Sequence, residues 1–434
     1  MSNNGTFEPQ APRSVEETGL SEAFLTDLTL KIMYYEGVMA GNAIAEAIKL
    51  PFNGVMDGVI ESLKRERMLE VKGTGTGLGE ASYEYVITDK GSSRAREVLE
   101  RGQYVGPAPI PLDMYVKAIQ KQGLKDVRIR RQDVEMALSH LVVNPALFQQ
   151  IGPAVNSGRS IFLFGPPGNG KTTIAEAIGF MLMQGAMYIP YAIQVGGMVI
   201  RYYDAMNHKK ATEDEPLYPG TSTLSSGLRL DRRWLKVRRP VVMVGGELTL
   251  NQLDLSFDPE SRIYDAPLQL KANGGLFLID DFGRQQMRPQ DLLNRWIVPL
   301  EKRSDFLTMQ NGATIEVPFD VLLVLSTNLS PKDLVDEAFL RRIRHKIDVK
   351  SPSYEEYRKI FIAACQAKGI AYDERALAYL LKAYYADTGR ELRACHPRDL
   401  LDQILDIANF MEIQPTLSKE LIDLACANYF AVLD

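Results

Sequence analysis

The chain has 434 residues, 45% of them apolar and 24% charged, with a net charge of −5 at pH 7. This is a globular composition, long enough for two or three domains, and its acidic balance argues against a protein that coats nucleic acid non-specifically, though a local basic patch remains open. The three cysteines, Cys365, Cys395 and Cys426, form no C-x-x-C pair and no ligand cluster, which suits a reducing compartment and gives no zinc site.

Residues 1–20 are polar and contain proline, which predicts a disordered tail. They have neither the basic start nor the apolar stretch of a signal peptide. From 21 to 105, three stretches of helical apolar spacing precede two strand-like runs and a closing helix. Three helices followed by a two-stranded wing resemble a winged helix-turn-helix, with a flexible glycine loop over 74–81. Residues 106–125, proline-rich at their start, read as an interdomain linker.

Between 126 and 350, short apolar runs alternate with helical segments, which predicts a mostly parallel α/β sheet. Buried strands are expected at 160–165, 240–246, 275–280 and 321–328. A hairpin is expected over 192–204, turning at Gly196-Gly197, either as a docking arm or as a plain edge hairpin. The run 229–239 carries six basic residues against one acid, with Trp234 among them, and suits nucleic acid, a subunit contact or a solvated face. From 351 to 434 the chain reads as helices only. No apolar run reaches the length of a membrane span, so the expectation is a soluble, cytoplasmic protein.

The chemistry concentrates in the α/β part. Gly165, Pro166, Pro167, Gly168, Asn169, Gly170, Lys171 and Thr172 fit G-x-x-x-x-G-K-[ST] in full, between a strand and a helix. Glycines let backbone N–H groups turn around phosphate oxygens, and the following helix, which continues through Thr173, presents its positive end. Lys171 should reach the β- and γ-phosphates of ATP, and the Thr172 hydroxyl should hold Mg²⁺. Asp280 and Asp281 end a buried strand. The first suits the outer shell of Mg²⁺ and the second suits polarising an attacking water, although two adjacent acids also suit a solvated turn. A kinase has no need of the second acid, so its presence favours hydrolysis.

Four polar residues follow, in three places. Asn328 ends the strand beside the loop and suits orienting the water, or simply turning the chain. Arg341 and Arg342 lie in a basic run that suits either solvent or a neighbour's γ-phosphate. Arg398, one residue after Pro397 at a helix start, suits a contact to nucleotide from a helical lid, or a surface position.

This ordered set resembles the AAA+ ATPase family over roughly residues 130 to 434. The resemblance implies an α/β fold, namely a P-loop NTPase parallel sheet with a C-terminal helical lid over 351–434, behind the winged helix. It implies that residues 165–172 are the Walker A loop, Asp280 and Asp281 Walker B, and Asn328 the first sensor. Arg342, with Arg341 as its alternative, is then the arginine finger offered to a neighbouring subunit, and Arg398 the second sensor. Asp281 departs from the more usual Glu. The region from Gly283 to Asn328 looks closer to MoxR-like and enhancer-type ATPases than to unfoldases, with 246–274 as an insertion facing a pore. No aromatic-hydrophobic-glycine gripping triplet stands out. The family usually assembles into rings of six, so a homo-hexamer is expected.

Residues 21–101 carry thirteen acids against ten bases, which is not the surface of a phosphate binder. The expected function is ATP-driven remodelling or assembly of an unidentified protein client docked on the winged helix. The alternatives are a DNA-binding regulator or nucleic-acid loader, and a switch in which ATP binding alone controls assembly.

Overall fold

The computed structural model describes residues 7–74, 79–218, 229–334 and 337–430, so half of the expected glycine loop at 74–81, residues 75–78, lies outside the described residues. The N-terminal unit runs α1 (Glu22–Glu36), β1 (Val38–Ala40), α2 (Gly41–Ile48), α3 (Asp57–Arg65), β2 (Leu69–Thr74), β3 (Tyr83–Ile87) and α4 (Asp89–Arg101). Ser21 and Thr88 cap α1 and α4, accepting from the backbone N–H of Phe24 and Gly91. Leu25, Leu28, Ile44, Ile48, Val59, Leu63 and Tyr85 close one core between helices and sheet. The sheet has three antiparallel strands in the order β1-β3-β2, where only two were expected. The extra strand is three residues long, too short for its alternation to be read.

Two stretches depart from expectation. Residues 7–20 are packed, not loose: Phe7 meets the Trp234 ring edge-on, Asp231 donates its backbone N–H to Pro9, and Thr18 is fully buried. The supposed linker contains β4 (Ile110–Pro111) and α5 (Leu112–Lys121). Its prolines limit helix formation only up to Pro111, and α5 buries Tyr115, Ala118 and Ile119 under a sheet.

The α/β unit continues with α6 (Arg131–Ala137), α7 (Pro145–Asn156), β5 (Ile161–Phe164), α8 (Lys171–Met183), β6 (Ala186–Pro190), β7 (Ala192–Val195), β8 (Met198–Arg201), β9 (Trp234–Arg238) and β10 (Val241–Val244). Next come β11 (Ser256–Asp258), β12 (Ile263–Asp265), α9 (Leu268–Lys271), β13 (Leu276–Ile279), α10 (Pro289–Lys302), the hairpin β14 (Ser304–Thr308) and β15 (Thr314–Pro318), and β16 (Leu322–Thr327). Two short helices, α11 (Pro331–Leu334) and α12 (Glu337–Leu340), lead to β17 (His345–Asp348).

The central sheet is five-stranded and wholly parallel, in the order β10-β13-β16-β5-β17. Its inner strands β13 and β5 are apolar throughout and β16 nearly so, because both faces are covered, whereas the edge strand β17 reads His-Lys-Ile-Asp and buries only Ile347. A second sheet, β11-β12-β8-β7-β4, takes in the expected hairpin, with Gly196 and Gly197 both at positive φ in the turn. With β4 on one side of it and β12 on the other, β7–β8 is not a projecting arm.

The basic run 229–239 is largely spent inside the chain. Arg233 is fully buried on Asp231 and the Thr18 carbonyl. Arg239 is buried on the carbonyls of Gly274 and Gln122, Arg232 pairs with Glu46, and Arg238 with Glu215. After Ser353, whose side chain and Glu356 cap each other's backbone, the chain is helical: α13 (Tyr354–Lys368), α14 (Glu374–Leu381), α15 (His396–Phe410) and α16 (Lys419–Tyr429).

Candidate functional site

The carboxyl ends of β13, β16 and β5 lie side by side, with Ile279 opposite Leu325 and Thr327 opposite Phe164. Residues just beyond neighbouring strands of such a sheet converge on one crevice. Here they are Asp280 and Asp281, Asn328, and the loop from Gly165 to Gly170. Gly168 has φ of 78°, and a Cβ on it would stand 2.5 Å from Cys395 Sγ, so both conformation and space require glycine.

Lys171 opens α8 and is buried. Its Nζ donates to the carbonyls of Gly165 and Pro166 at 3.0 and 2.9 Å. Burial lowers its pKa from the ordinary lysine value, while Asp281 and Asp280 pull it back up and Arg393 adds to the lowering. Thr172 Oγ1 donates to Asp280 Oδ2 at 2.8 Å. Asn328 Nδ2 donates to Asp281 Oδ1 at 3.0 Å. Asp281 sits at φ of 47°, a left-handed conformation that Asp and Asn adopt more readily than other side chains.

These groups share a cleft of about 690 Å³. One part is polar, with Lys171, Thr172, Thr173, Asp280, Asp281 and Asn328. The other lining is mostly apolar, from Leu141, Val142 and Val143 and from Ile360, Ala363, Ala364 and Ala367 of α13. Arg398 also lines it, but is 69% exposed and bonded to Asp399.

Arg341 and Arg342 stand elsewhere. The Arg342 carbonyl accepts from Ser160 Oγ at 3.2 Å, just before β5 and at the opposite end of that strand from the loop. Arg341 pairs with Glu337 and Arg342 with Glu301, at the edge of a recess that also holds Arg159, Arg303, Arg344 and Lys346. Arg159 is held below the ordinary arginine range by burial and by Arg303 and Arg344 beside it.

Sequence reasoning missed the apolar walls and Arg393, whose Nη1 donates to the Pro167 carbonyl at 3.0 Å. The wall residues lie on ordinary amphipathic helix and loop, and Arg393 works on a backbone atom, so no side-chain pattern marks either.

A family described as "Domain of unknown function (DUF8689)" matches residues 353–428, the C-terminal helices. The chain is 26% identical over 267 residues to the ATP-dependent zinc metalloprotease FtsH of Thermobaculum terrenum, a match covering 55% of this chain and 38% of that protein. It is 42% identical over 57 residues to the cell division cycle protein 48 homolog of Archaeoglobus fulgidus, covering 13% of this chain and 7% of that one. The chain thus spans well under half the length of either relative. No group of three His, Cys, Asp or Glu side chains able to hold a metal occurs among the described residues, and no described helix is long and apolar enough to cross a membrane.

Among solved structures, NtrX from Brucella abortus in complex with ATP is similar at 14% identity and a TM-score of 0.38, covering 77% of this chain and 62% of that one. The RuvB Holliday junction branch migration motor of Thermotoga maritima is similar at 13% identity and a TM-score of 0.35, covering 70% and 72%. A complete phosphate-loop sequence thus lies on a parallel sheet, an acid pair and a polar strand end converge on it, and the chain is similar over 267 residues to an ATP-dependent protein.

Proposed function

We propose that the protein hydrolyses ATP to remodel or assemble protein partners, docking them through the N-terminal unit, read as a winged helix. The observation that carries the hydrolytic reading is the pairing of Asn328 with Asp281 beside the Thr172–Asp280 pair, in one cleft with Lys171. A hydroxyl and a carboxylate 2.8 Å apart form the hard oxygen set that suits Mg²⁺, so Thr172 and Asp280 would hold it. When bound, the ion supplies positive charge to the β- and γ-phosphate oxygens.

The chain's own residues do the rest. Lys171 leaves the loop carbonyls for the β- and γ-phosphates. Asp281, oriented by Asn328, accepts a proton from the water that attacks the γ-phosphorus. The apolar walls from 141–143 and α13 take the flat base. Arg398, on the C-terminal helices acting as a lid, closes over the phosphates. Arg341 and Arg342 face the nucleotide of a neighbouring copy in a ring of six, since they lie away from their own cleft in a recess crowded with like charge.

A protein client is favoured over nucleic acid because the N-terminal unit has more acids than bases and the run 229–239 is mostly paired within the chain. The test is Mg²⁺-dependent phosphate release by the wild type and by Lys171→Ala and Asp281→Asn, followed by capture from native lysate on the Asp281→Asn protein held in ATP. Hydrolysis lost in both variants, with proteins enriched only on the Asp281→Asn trap, supports the reading. Nuclease-sensitive material enriched in their place would make the winged helix a DNA reader.

A further inference from the structure

Four consecutive carbonyls of the phosphate loop are occupied, and they fall into two pairs. Those of Gly165 and Pro166 accept from Lys171 Nζ. Those of Pro167 and Gly168 accept from the segment leading into α15: Arg393 Nη1 to Pro167 at 3.0 Å, and the Cys395 backbone N–H to Gly168 at 2.8 Å. The division follows the chemistry of the peptide units. The first two carbonyls belong to units whose nitrogens are those of Pro166 and Pro167, which have no N–H. The next two belong to units that carry the N–H groups of Gly168 and Asn169.

In a planar trans unit, C=O and N–H point in opposite directions. Drawing the Pro167 and Gly168 carbonyls toward the segment 393–395 therefore turns the next two N–H groups away from it. None of the backbone N–H groups of Gly168, Asn169, Gly170, Lys171 and Thr172 finds an acceptor among the described residues. Asn169 adds a third tie. Its Oδ1 accepts from the Ala394 N–H at 3.2 Å and its Nδ2 donates to Ser351 Oγ at 3.3 Å, in a side chain 7% exposed.

We propose that Arg393 is a positioning residue of the nucleotide site: with Asn169 it holds the loop so that its free N–H groups face phosphate before nucleotide arrives. The proposal rests on reading the cleft as an ATP site. It assigns Arg393 a role through the loop, on phosphates that ATP and ADP share, and not on the γ-phosphate. A preorganised donor set binds more tightly because less ordering remains to be done on binding.

The experiment is calorimetric titration of ATP and of ADP, with Mg²⁺, into the full-length wild type, Arg393→Ala, Arg393→Lys and Asn169→Ala. Arg393→Ala should weaken both nucleotides by the same factor, about tenfold, the scale of one charge-assisted hydrogen bond. Arg393→Lys should recover part of this, and Asn169→Ala should weaken both by a smaller common factor. The nucleotide-free melting temperature of Arg393→Ala should stay near the wild-type value, which a merely structural role would not allow, whereas Asn169→Ala, which leaves the Ala394 N–H and the Ser351 hydroxyl without a buried partner, should melt lower. A loss confined to ATP overturns the proposal, because Arg393 then touches the γ-phosphate itself. Unchanged affinities in a wild type that binds nucleotide overturn this inference alone, and a wild type that binds neither nucleotide overturns it together with the ATPase reading. If Arg393→Ala does not fold, the same contrast between ATP and ADP in the other two variants decides.

Discussion

Asn328 donates its side-chain amide to Asp281 across the ends of two neighbouring strands, at 3.0 Å. The bond fixes one carboxylate oxygen of Asp281 and leaves the other open to the cleft. Replacing Asp281 with Asn preserves the left-handed backbone and removes the base, so turnover should fall by about 10²–10⁴-fold while ATP affinity stays near wild type. Asn328→Ala should lower kcat with little change in KM, because it frees the carboxylate without touching the loop. Steady-state phosphate release with parallel nucleotide titrations separates the two; equal loss of binding in Asp281→Asn would remove Asp281 from its catalytic role.

Arg342 lies at the far end of β5 from its own loop and is paired with Glu301. If it serves a neighbour, Arg342→Ala should lose activity by about 10³-fold or more, on the scale of other arginine fingers, and still bind ATP. Mixing it with inactive Asp281→Asn should restore part of the activity. In a mixed assembly, some sites combine the intact cleft of one variant with the intact arginine of the other. No recovery on mixing, with assembly verified by sedimentation, sinks the trans assignment.

The Arg233–Asp231 pair is buried, and Arg233 Nη1 also holds the Thr18 carbonyl, tying the N-terminal unit to the β6–β9 ribbon. Arg233→Met leaves a buried carboxylate without its partner, which costs about 3–5 kcal/mol. The expected result is a new low-temperature melting step and early protease release of the N-terminal unit. Changing both partners, Arg233→Met with Asp231→Leu, should undo most of the loss. A single variant that melts and resists cleavage like the wild type would show the tie to be unimportant.

That the loop and the acid pair lie together was readable, because the G-x-x-x-x-G-K-[ST] spacing between strand and helix and two acids at the end of a buried strand fix their places at one edge of a parallel sheet. The docking of residues 7–20 was not, because the partner of Thr18 lies 215 residues further on. The second sheet was unreadable for a similar reason. It is built from strands of two to four residues that pair across long gaps, such as Ile110 with Ile193 and Tyr264 with Ile200. The choice of Asp over Glu at position 281 gains a physical reason only from the structure, since φ of 47° favours the shorter acid.

His208 gives the chain an acid-sensitive joint. Its Nδ1 accepts from the Asp204 backbone N–H at 3.0 Å, which requires that nitrogen to be unprotonated, and its Nε2 faces the Lys271 carbonyl at 2.9 Å. Burial pushes its pKa from 6.5 to about 4, outweighing the hydrogen bond to Lys271 and the nearby Asp204 carboxylate, while the Lys271 charge adds to the lowering. Between these values the unfolded chain binds the proton and the folded one does not. Stability from this group is therefore complete above pH 6.5 and declines as pH falls toward 4, by on the order of 3 kcal/mol in all. His396, also pushed to about 4 chiefly by burial, acts in the same direction. Urea unfolding of the wild type and His208→Gln at pH 7, 5.5 and 4.5 checks this. Carboxylate effects are common to both proteins, so the difference between the two curves isolates the imidazole. The wild type should lose more stability on acidification than the variant; parallel curves would mean that His208 does not remain neutral in the fold.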